Sequence, residues 1–323
     1  MRLRSLTYRS APVVMAGVIM LTGCSNDGAA SAGHKQPDPV RALRPGLAKG
    51  AGQASFYLSL GDSLSRGVQP TATGQDIATN RGYPDRLAAT LRAHMRRLRL
   101  VKLGCSGETT ETMIHGGICH YPAGSQLAQA ATFLRAHRGR TALITMDIGA
   151  NDPNSCVLDR ALTSILPCLV ARLPAIGKNL NKIMATLRAA AGKRVLIVGM
   201  TYYVPELALL KRGTLGKQIG VLTGAVAAGA NQMLTDSYRH YGARVANVFA
   251  AFRTSDFGFK SGHAHSRAPA KTGKSGSALP NVATICSLTW MCAKPPRGPD
   301  VHANNAGYRL IARTFWRTID HSR

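Results

Sequence analysis

The chain has 323 residues, 45% of them apolar and 6% aromatic. That is enough for one large or two small domains with a proper core, and it excludes a disordered polymer of low hydrophobicity. Forty-one Lys and Arg against 15 Asp and Glu give a formal charge of +26, which calls for an anionic partner without choosing between nucleic acid and other polyanions.

Arg2, Arg4 and Arg9 precede an apolar stretch of 11 residues, 11–21. This is the length of a signal-peptide h-region and too short to span a bilayer as a helix. It ends in Leu21-Thr22-Gly23-Cys24, which resembles the bacterial lipobox, whose cysteine is lipidated and becomes the first mature residue. The alternative is an ordinary secretory signal that contains a cysteine. Residues 1–23 are therefore expected to be a signal peptide. Residues 24–53, rich in Gly, Ala, Ser, Pro and charge, are expected to be lipidated Cys24 and a flexible tether. The expected location is the outside of the cell membrane, held by a lipid anchor at Cys24, or free secretion if the lipobox is not used. Export argues against nucleic acid as the partner and turns the charge toward anionic lipid or cell-wall polymer.

Residues 54–323 are expected to form one domain in which strands and helices alternate. Residues 56–60 are a short apolar strand, and 83–98 follow helical spacing through Leu87, Leu91, Met95 and Leu98. A second strand at 98–103 is expected, with the preceding helix able to run into it. Residues 126–138 read as a helix and 141–146 as a third strand. Leu173, Ile176, Leu180, Ile183, Met184 and Leu187 mark a long amphipathic helix. Val195 to Met200 is the most strand-like run, 215–241 is mostly helical, and 244–248 is a fifth strand. Lys260 to Ser277, with His263 and His265, reads as a solvated surface loop. Asn304 can cap a last helix whose apolar face holds Tyr308, Ile311, Ala312, Phe315, Trp316 and Ile319. Apolar strands separated by helix-length segments predict an α/β fold with a parallel sheet covered on both faces.

Beside Cys24 stand Cys105, Cys119, Cys156, Cys168, Cys286 and Cys292. An even number in an exported chain reads as three disulfides, for which 15 connectivities are open. Sequential pairing, Cys105–Cys119, Cys156–Cys168 and Cys286–Cys292, is favoured because each bridge would staple one loop.

Ligands of open α/β sheets bind beyond the carboxyl ends of the strands. Four motifs fall at that edge: Gly61-Asp62-Ser63-Leu64-Ser65, Gly104-Cys105-Ser106-Gly107-Glu108-Thr109-Thr110, Gly149-Ala150-Asn151-Asp152 and Asp300-Val301-His302-Ala303-Asn304. Ester hydrolysis needs a nucleophile, a base and donors for the oxyanion. Ser63 can be the nucleophile and His302 the general base. The N–H groups of Ser63 and Gly107 and the amide of Asn151 can be the donors. Each residue also has a plainer reading: Ser63 as a helix cap, His302 as a surface histidine, Asn151 and Gly107 as turn residues, with Gly104 a rival for the oxyanion role. Asp62, Asp147 and Asp152 read as braces of the loops. Arg92, Arg96, Arg97, Arg99 and Lys102 read as a solvated helix face, with contact to an anionic surface as the alternative.

These four motifs in this order resemble the SGNH/GDSL hydrolase superfamily over about residues 54–320. The segment 286–292 and the proline-rich stretch after it resemble its secreted bacterial branch with three disulfides. The resemblance implies a flavodoxin-like three-layer α/β/α sandwich on a mostly five-stranded parallel sheet. It also implies acyl-ester hydrolysis through an acyl-enzyme with neither metal nor cofactor. The expected protein is an extracytoplasmic serine esterase or lipase, and a monomer. A carbohydrate or peptidoglycan O-acetyl esterase and a non-catalytic lipoprotein that binds envelope polymer are the alternatives. One departure stands out. The family's Asp-x-x-His becomes Asp-x-His, with Pro299 at the usual acid position. Asp300 orients His302 if the loop bends; otherwise a carbonyl near Pro299 does so and Ser63–His302 works as a dyad.

Overall fold

The computed structural model describes residues 55–153, 156, 162–211, 213–258 and 279–320. The expected signal peptide, Cys24 and the tether lie outside the described residues, as does the loop 260–277 with His263 and His265. Among the described residues no helix is long and apolar enough to cross a membrane.

Five parallel strands make the central sheet: β1 (Ser55–Gly61), β4 (Leu98–Lys102), β5 (Thr141–Asp147), β6 (Leu196–Met200) and β7 (Arg244–Ala246), in spatial order β4-β1-β5-β6-β7. Every residue of β1 and β5 is buried. Strands covered on both faces have no polar side to alternate with, so they read as nearly continuous apolar runs, here with Ser59 and Thr145 buried among them. The order has the chain leave β1 first to one side, for β4, and then to the other, for β5. Their carboxyl ends therefore flank the crevice in which doubly wound sheets bind ligands.

A two-stranded antiparallel hairpin, β2 (Gln69–Pro70) and β3 (Asp76–Ile77), stands apart from the sheet. The helices are α1 (Ser63–Arg66), α2 (Tyr83–Arg92), α3 (Thr110–His115), α4 (Gln126–Ala136), α5 (Leu162–Ala191), α6 (Gly213–His240), α7 (Val248–Ala251), α8 (Pro280–Leu288) and α9 (Asn305–Asp320), with a 3-10 helix at Pro205–Lys211. One layer holds α3 to α6 in mutual contact, the other α2 packed on α9 with α7 and α8. The molecule is thus the expected α/β/α sandwich. Leu58, Leu60, Leu143, Ile144, Ile197 and Val198 on the strands are fully buried between the helices' apolar faces.

Three boundaries differ from the sequence reading. The helix expected at 83–98 stops at Arg92, because Leu98 pairs with Ser55 and opens β4; a turn in which Met95 N–H donates to the Leu91 carbonyl joins them. The helix marked from Leu173 begins at Leu162 and carries Pro167 and Pro174 inside it, with its first turns tied by the Cys156–Cys168 bridge. The fifth strand ends at Ala246, because the Asn247 side chain accepts from Ala250 N–H and starts α7. The other two bridges are Cys105–Cys119 and Cys286–Cys292, so the pairing is sequential.

Candidate active site

The site is assembled where β1, β4 and β5 end. Gly61, the last residue of β1, has φ +128°, and a Cβ there would stand 1.9 Å from the Asp147 carbonyl, so glycine alone lets β1 and β5 close at this point. The Gln126 side chain clamps Gly61, accepting from its N–H at 2.6 Å and donating to its carbonyl at 3.0 Å. The same amide donates to the Glu108 carboxylate at 2.8 Å, and Cys105 N–H donates to the Gly61 carbonyl at 3.0 Å. The ends of β1 and β4 are thereby fastened to the start of α4.

Asp62, not Ser63, caps α1. Its Oδ1 accepts from Leu64 N–H at 2.9 Å and its Oδ2 from the Tyr202 hydroxyl at 2.7 Å. Ser63 is the first residue of the helix and is partly exposed. Among the described residues its hydroxyl has no hydrogen-bond partner, and it is not bonded to His302. Asp147 lies beneath. Its Oδ2 accepts from Ser65 N–H at 3.1 Å and from Asp62 N–H at 3.3 Å, and its Oδ1 accepts from the Tyr83 hydroxyl. Burial, and then the Asp62 charge, push the Asp147 carboxyl far above the usual carboxylate range, and burial raises Asp62 as well, so the two carboxyls titrate as a pair.

Gly107 sits in an exposed turn with φ +81° and open space where a side chain would be. Glu108 N–H closes the turn onto the Cys105 carbonyl, and the Cys105–Cys119 bridge ties it down. Asn151 Nδ2 donates to the Glu108 carbonyl at 3.0 Å, which brings the loops after β4 and β5 together. Asp152 accepts from Thr110 N–H at 2.9 Å and braces the same pair of loops. Gly104 is buried, and a Cβ there would run into the Ser65 hydroxyl, whereas Gly107 faces solvent.

The fourth motif forms a bent loop. Trp290 N–H donates to the His302 carbonyl at 3.0 Å, Asp300 N–H to the Trp290 carbonyl at 3.3 Å, and the Tyr203 hydroxyl to the Val301 carbonyl at 2.9 Å. The bend turns the Asp300 carboxylate back over one residue. Its oxygens lie 3.1 and 3.2 Å from His302 Nδ1, and Oδ1 also accepts from His302 N–H at 2.9 Å. Among the described residues Nδ1 has no carbonyl partner, and Nε2 has no hydrogen-bond partner. Burial would lower the imidazole, but the Asp300 hydrogen bond and charge, with Asp76 and Asp62 behind them, outweigh it, and His302 titrates above the ordinary histidine value. Asp300 answers in kind: burial would raise it, and the bond and charge of His302 hold it below the usual range.

Asp76 is a member of this cluster that the sequence reading missed. Its Oδ2 is 3.7 Å from His302 Nδ1. It stands on β3, whose two residues carry no periodicity, so only the folded hairpin reveals it. Asp76, Asp300 and His302 place one ligand atom each within 4.8 Å of one another, a trio that could receive a cation; their ion pairs with the imidazole already account for the grouping.

A model of the GDSL-like lipase/acylhydrolase family matches residues 59–310. No curated protein sequence matches the chain. Among solved structures, the lipase Lip_vut3 from a goat rumen metagenome is 15% identical with a TM-score of 0.51, over 82% of this chain and 97% of that one. An extracellular lipase of Streptomyces rimosus is 19% identical with a TM-score of 0.46, over 62% and 82% of the two chains. An acetylxylan esterase of Geobacillus stearothermophilus is 18% identical with a TM-score of 0.46, over 83% and 95%.

Proposed function

The chain belongs to the GDSL-like lipase/acylhydrolase family and is a carboxylic ester hydrolase, and we propose that it is an exported serine esterase or lipase whose reaction runs through Ser63, His302 and Asp300. The observation that carries this reading is the Asp300 carboxylate on His302 Nδ1, at the edge of the sheet where β1 delivers a serine hydroxyl that no described residue engages.

With Nδ1 held by the carboxylate, the imidazole keeps its proton there and offers Nε2 as the base. Ser63 Oγ attacks the acyl carbonyl carbon as its proton passes to Nε2. The oxyanion is met by Ser63 N–H, Gly107 N–H and the Asn151 amide, a donor that does not titrate. The ester C–O bond breaks, the alcohol leaves with the proton from His302, and the acyl group stays on Ser63. Water then attacks the acyl-enzyme with His302 again as base, which releases the acid and restores Ser63. Asp300 fixes the tautomer and steadies the imidazolium. No step calls on a cofactor.

Export is supported by the charged and apolar leader, the lipobox-like segment at Cys24, and three closed disulfides, which fit an oxidising compartment. On this reading Cys24 carries the lipid anchor and the domain works outside the membrane.

Ser63→Ala is expected to abolish hydrolysis of a chromogenic short-chain ester and labelling by a fluorophosphonate probe, while wild type shows both. Full turnover in the Ser63→Ala protein would overturn the mechanism.

A further inference from the structure

Two exposed apolar side chains stand at the rim of the site. Ile77 is 44% and Val301 46% exposed. Ile77 follows Asp76, which faces the imidazole, and Val301 directly precedes His302. From Ile77 a chain of contacts leads to a group of arginines. Ile77 pairs across the hairpin with Gln69. The Gln69 amide donates to Asn305 Oδ1 at 3.4 Å, and the same oxygen accepts from Arg86 Nη2 at 3.2 Å. Arg86 Nε donates to the Arg81 carbonyl at 3.0 Å. Arg309 stands on α9, which packs on the α2 that carries Arg86, and after burial the charges of Arg309 and Arg81 hold Arg86 below its ordinary value. Arg81 and Arg309 are exposed.

The nearby acids are engaged elsewhere. Asp85 is paired with Lys102 at 3.0 Å, and Asp76 faces His302. These guanidiniums beside two exposed aliphatic side chains match one environment in particular. At a lipid surface, cations lie at the level of the phosphates while apolar side chains enter the boundary with the acyl chains. A cell-wall polymer would answer the arginines and leave Ile77 and Val301 without a counterpart.

We propose that this rim docks on an anionic phospholipid surface, with Arg81 and Arg309 on the phosphates and Ile77 and Val301 in the headgroup–acyl boundary, so that the site opens toward lipid esters. The substrate class rests on the esterase reading; the docking does not, because it is measured without turnover.

The test is cosedimentation of the full chain with vesicles of phosphatidylcholine alone or with phosphatidylglycerol added, at two salt concentrations. Any acyl group on Cys24 contributes equally to parent and variants. The parent is expected to prefer the phosphatidylglycerol vesicles, with the preference falling as salt rises. The Arg81→Gln/Arg309→Gln double variant is expected to lose about tenfold or more of that preference. Ile77→Ser/Val301→Ser is expected to weaken association with both vesicles. Thermal melts by circular dichroism show that each variant is folded. A parent indifferent to phosphatidylglycerol overturns the proposal, as does a pair of folded variants that bind like the parent. So does retention on insoluble peptidoglycan with no vesicle preference. Failure of the esterase reading would appear instead as a parent that docks and hydrolyses no ester.

Discussion

The shortened spacing between acid and histidine is resolved at the level of single residues. A carboxylate two positions before His302 reaches Nδ1 because the loop folds back, and Asp300 Oδ1 serves both the backbone N–H and the ring of His302. This predicts how rate depends on pH. His302 must be neutral to act as base, and its acidic neighbours raise it, so the acidic limb of kcat/KM should lie above the ordinary histidine value of about 6.5. Asp300→Asn removes the largest favourable influence on the imidazolium. It should move the limb down and lower kcat by roughly 10²–10⁴, the range set by losing a triad acid of this kind. Asp76→Asn should move the limb in the same direction by less, with kcat on the alkaline plateau nearly kept, since Asp76 is farther from Nδ1 and largely exposed. A pH–rate profile of each variant decides the matter; a limb and a kcat unmoved in Asp300→Asn would return the orienting role to a backbone carbonyl.

At the level of elements, the last helix is coupled to the site through its first residues. Asn304 Oδ1 accepts from Ala306 N–H at 2.9 Å and Gly307 N–H at 3.1 Å, and its Nδ2 donates to the Ser287 carbonyl at 2.9 Å, tying α9 to the end of α8 two residues after the base. Asn304→Ala should cost about 1–2 kcal/mol of unfolding free energy in a urea titration, together with a loss of kcat, because the loop carrying His302 is anchored through the same side chain. A kcat that stays at the parent's value would separate the cap from the site. This helix was legible beforehand, from an asparagine followed by a 3.6-residue apolar period. So were the five strands, of which β1, β5 and β6 are nearly all buried and nearly continuous apolar runs, and three of the four motifs follow a strand. The hairpin was not. Gln69–Pro70 and Asp76–Ile77 are too short to show a period, and Asp76 owes its place to packing rather than pattern. α1, α3 and α7 have four to six residues, too few to display a face. The start of α5 was hidden by Pro167 and Pro174, which local propensity counts against a helix and the surrounding packing tolerates. The boundary between α2 and β4 was set by a partner strand, which no local signal announces.

At the level of the whole molecule, one carboxyl group joins the layers. Asp147 ends the middle strand of the sheet, receives Tyr83 from α2 on one side and the N–H groups of Asp62 and Ser65 below the nucleophile on the other, and is fully buried. Its coupling to stability has a definite sign. Burial first, and then the Asp62 charge, raise the carboxyl of the folded protein above that of the unfolded chain, about 3.9. The folded state therefore holds a proton that the unfolded state has released. The favourable contribution is complete below the unfolded value and is lost as pH rises from there through the raised folded value. Asn at this position does not titrate: its oxygen can still accept from Tyr83, while its nitrogen, standing where Oδ2 was, gives up the bonds from Ser65 N–H and Asp62 N–H, a cost that is the same at every pH. The unfolding free energy of Asp147→Asn relative to the parent should therefore improve between pH 4 and pH 8, read from denaturant midpoints with the disulfides intact. Asp147→Leu instead leaves the Tyr83 hydroxyl and Ser65 N–H without their acceptor and should be destabilised at both pH values, by about 1–3 kcal/mol for each group. A difference between Asp147→Asn and the parent that does not change with pH would mean that the two buried carboxyls are ionised together in the folded protein, and that Tyr83 and Tyr202 alone carry the charge that the shared proton is here held to neutralise.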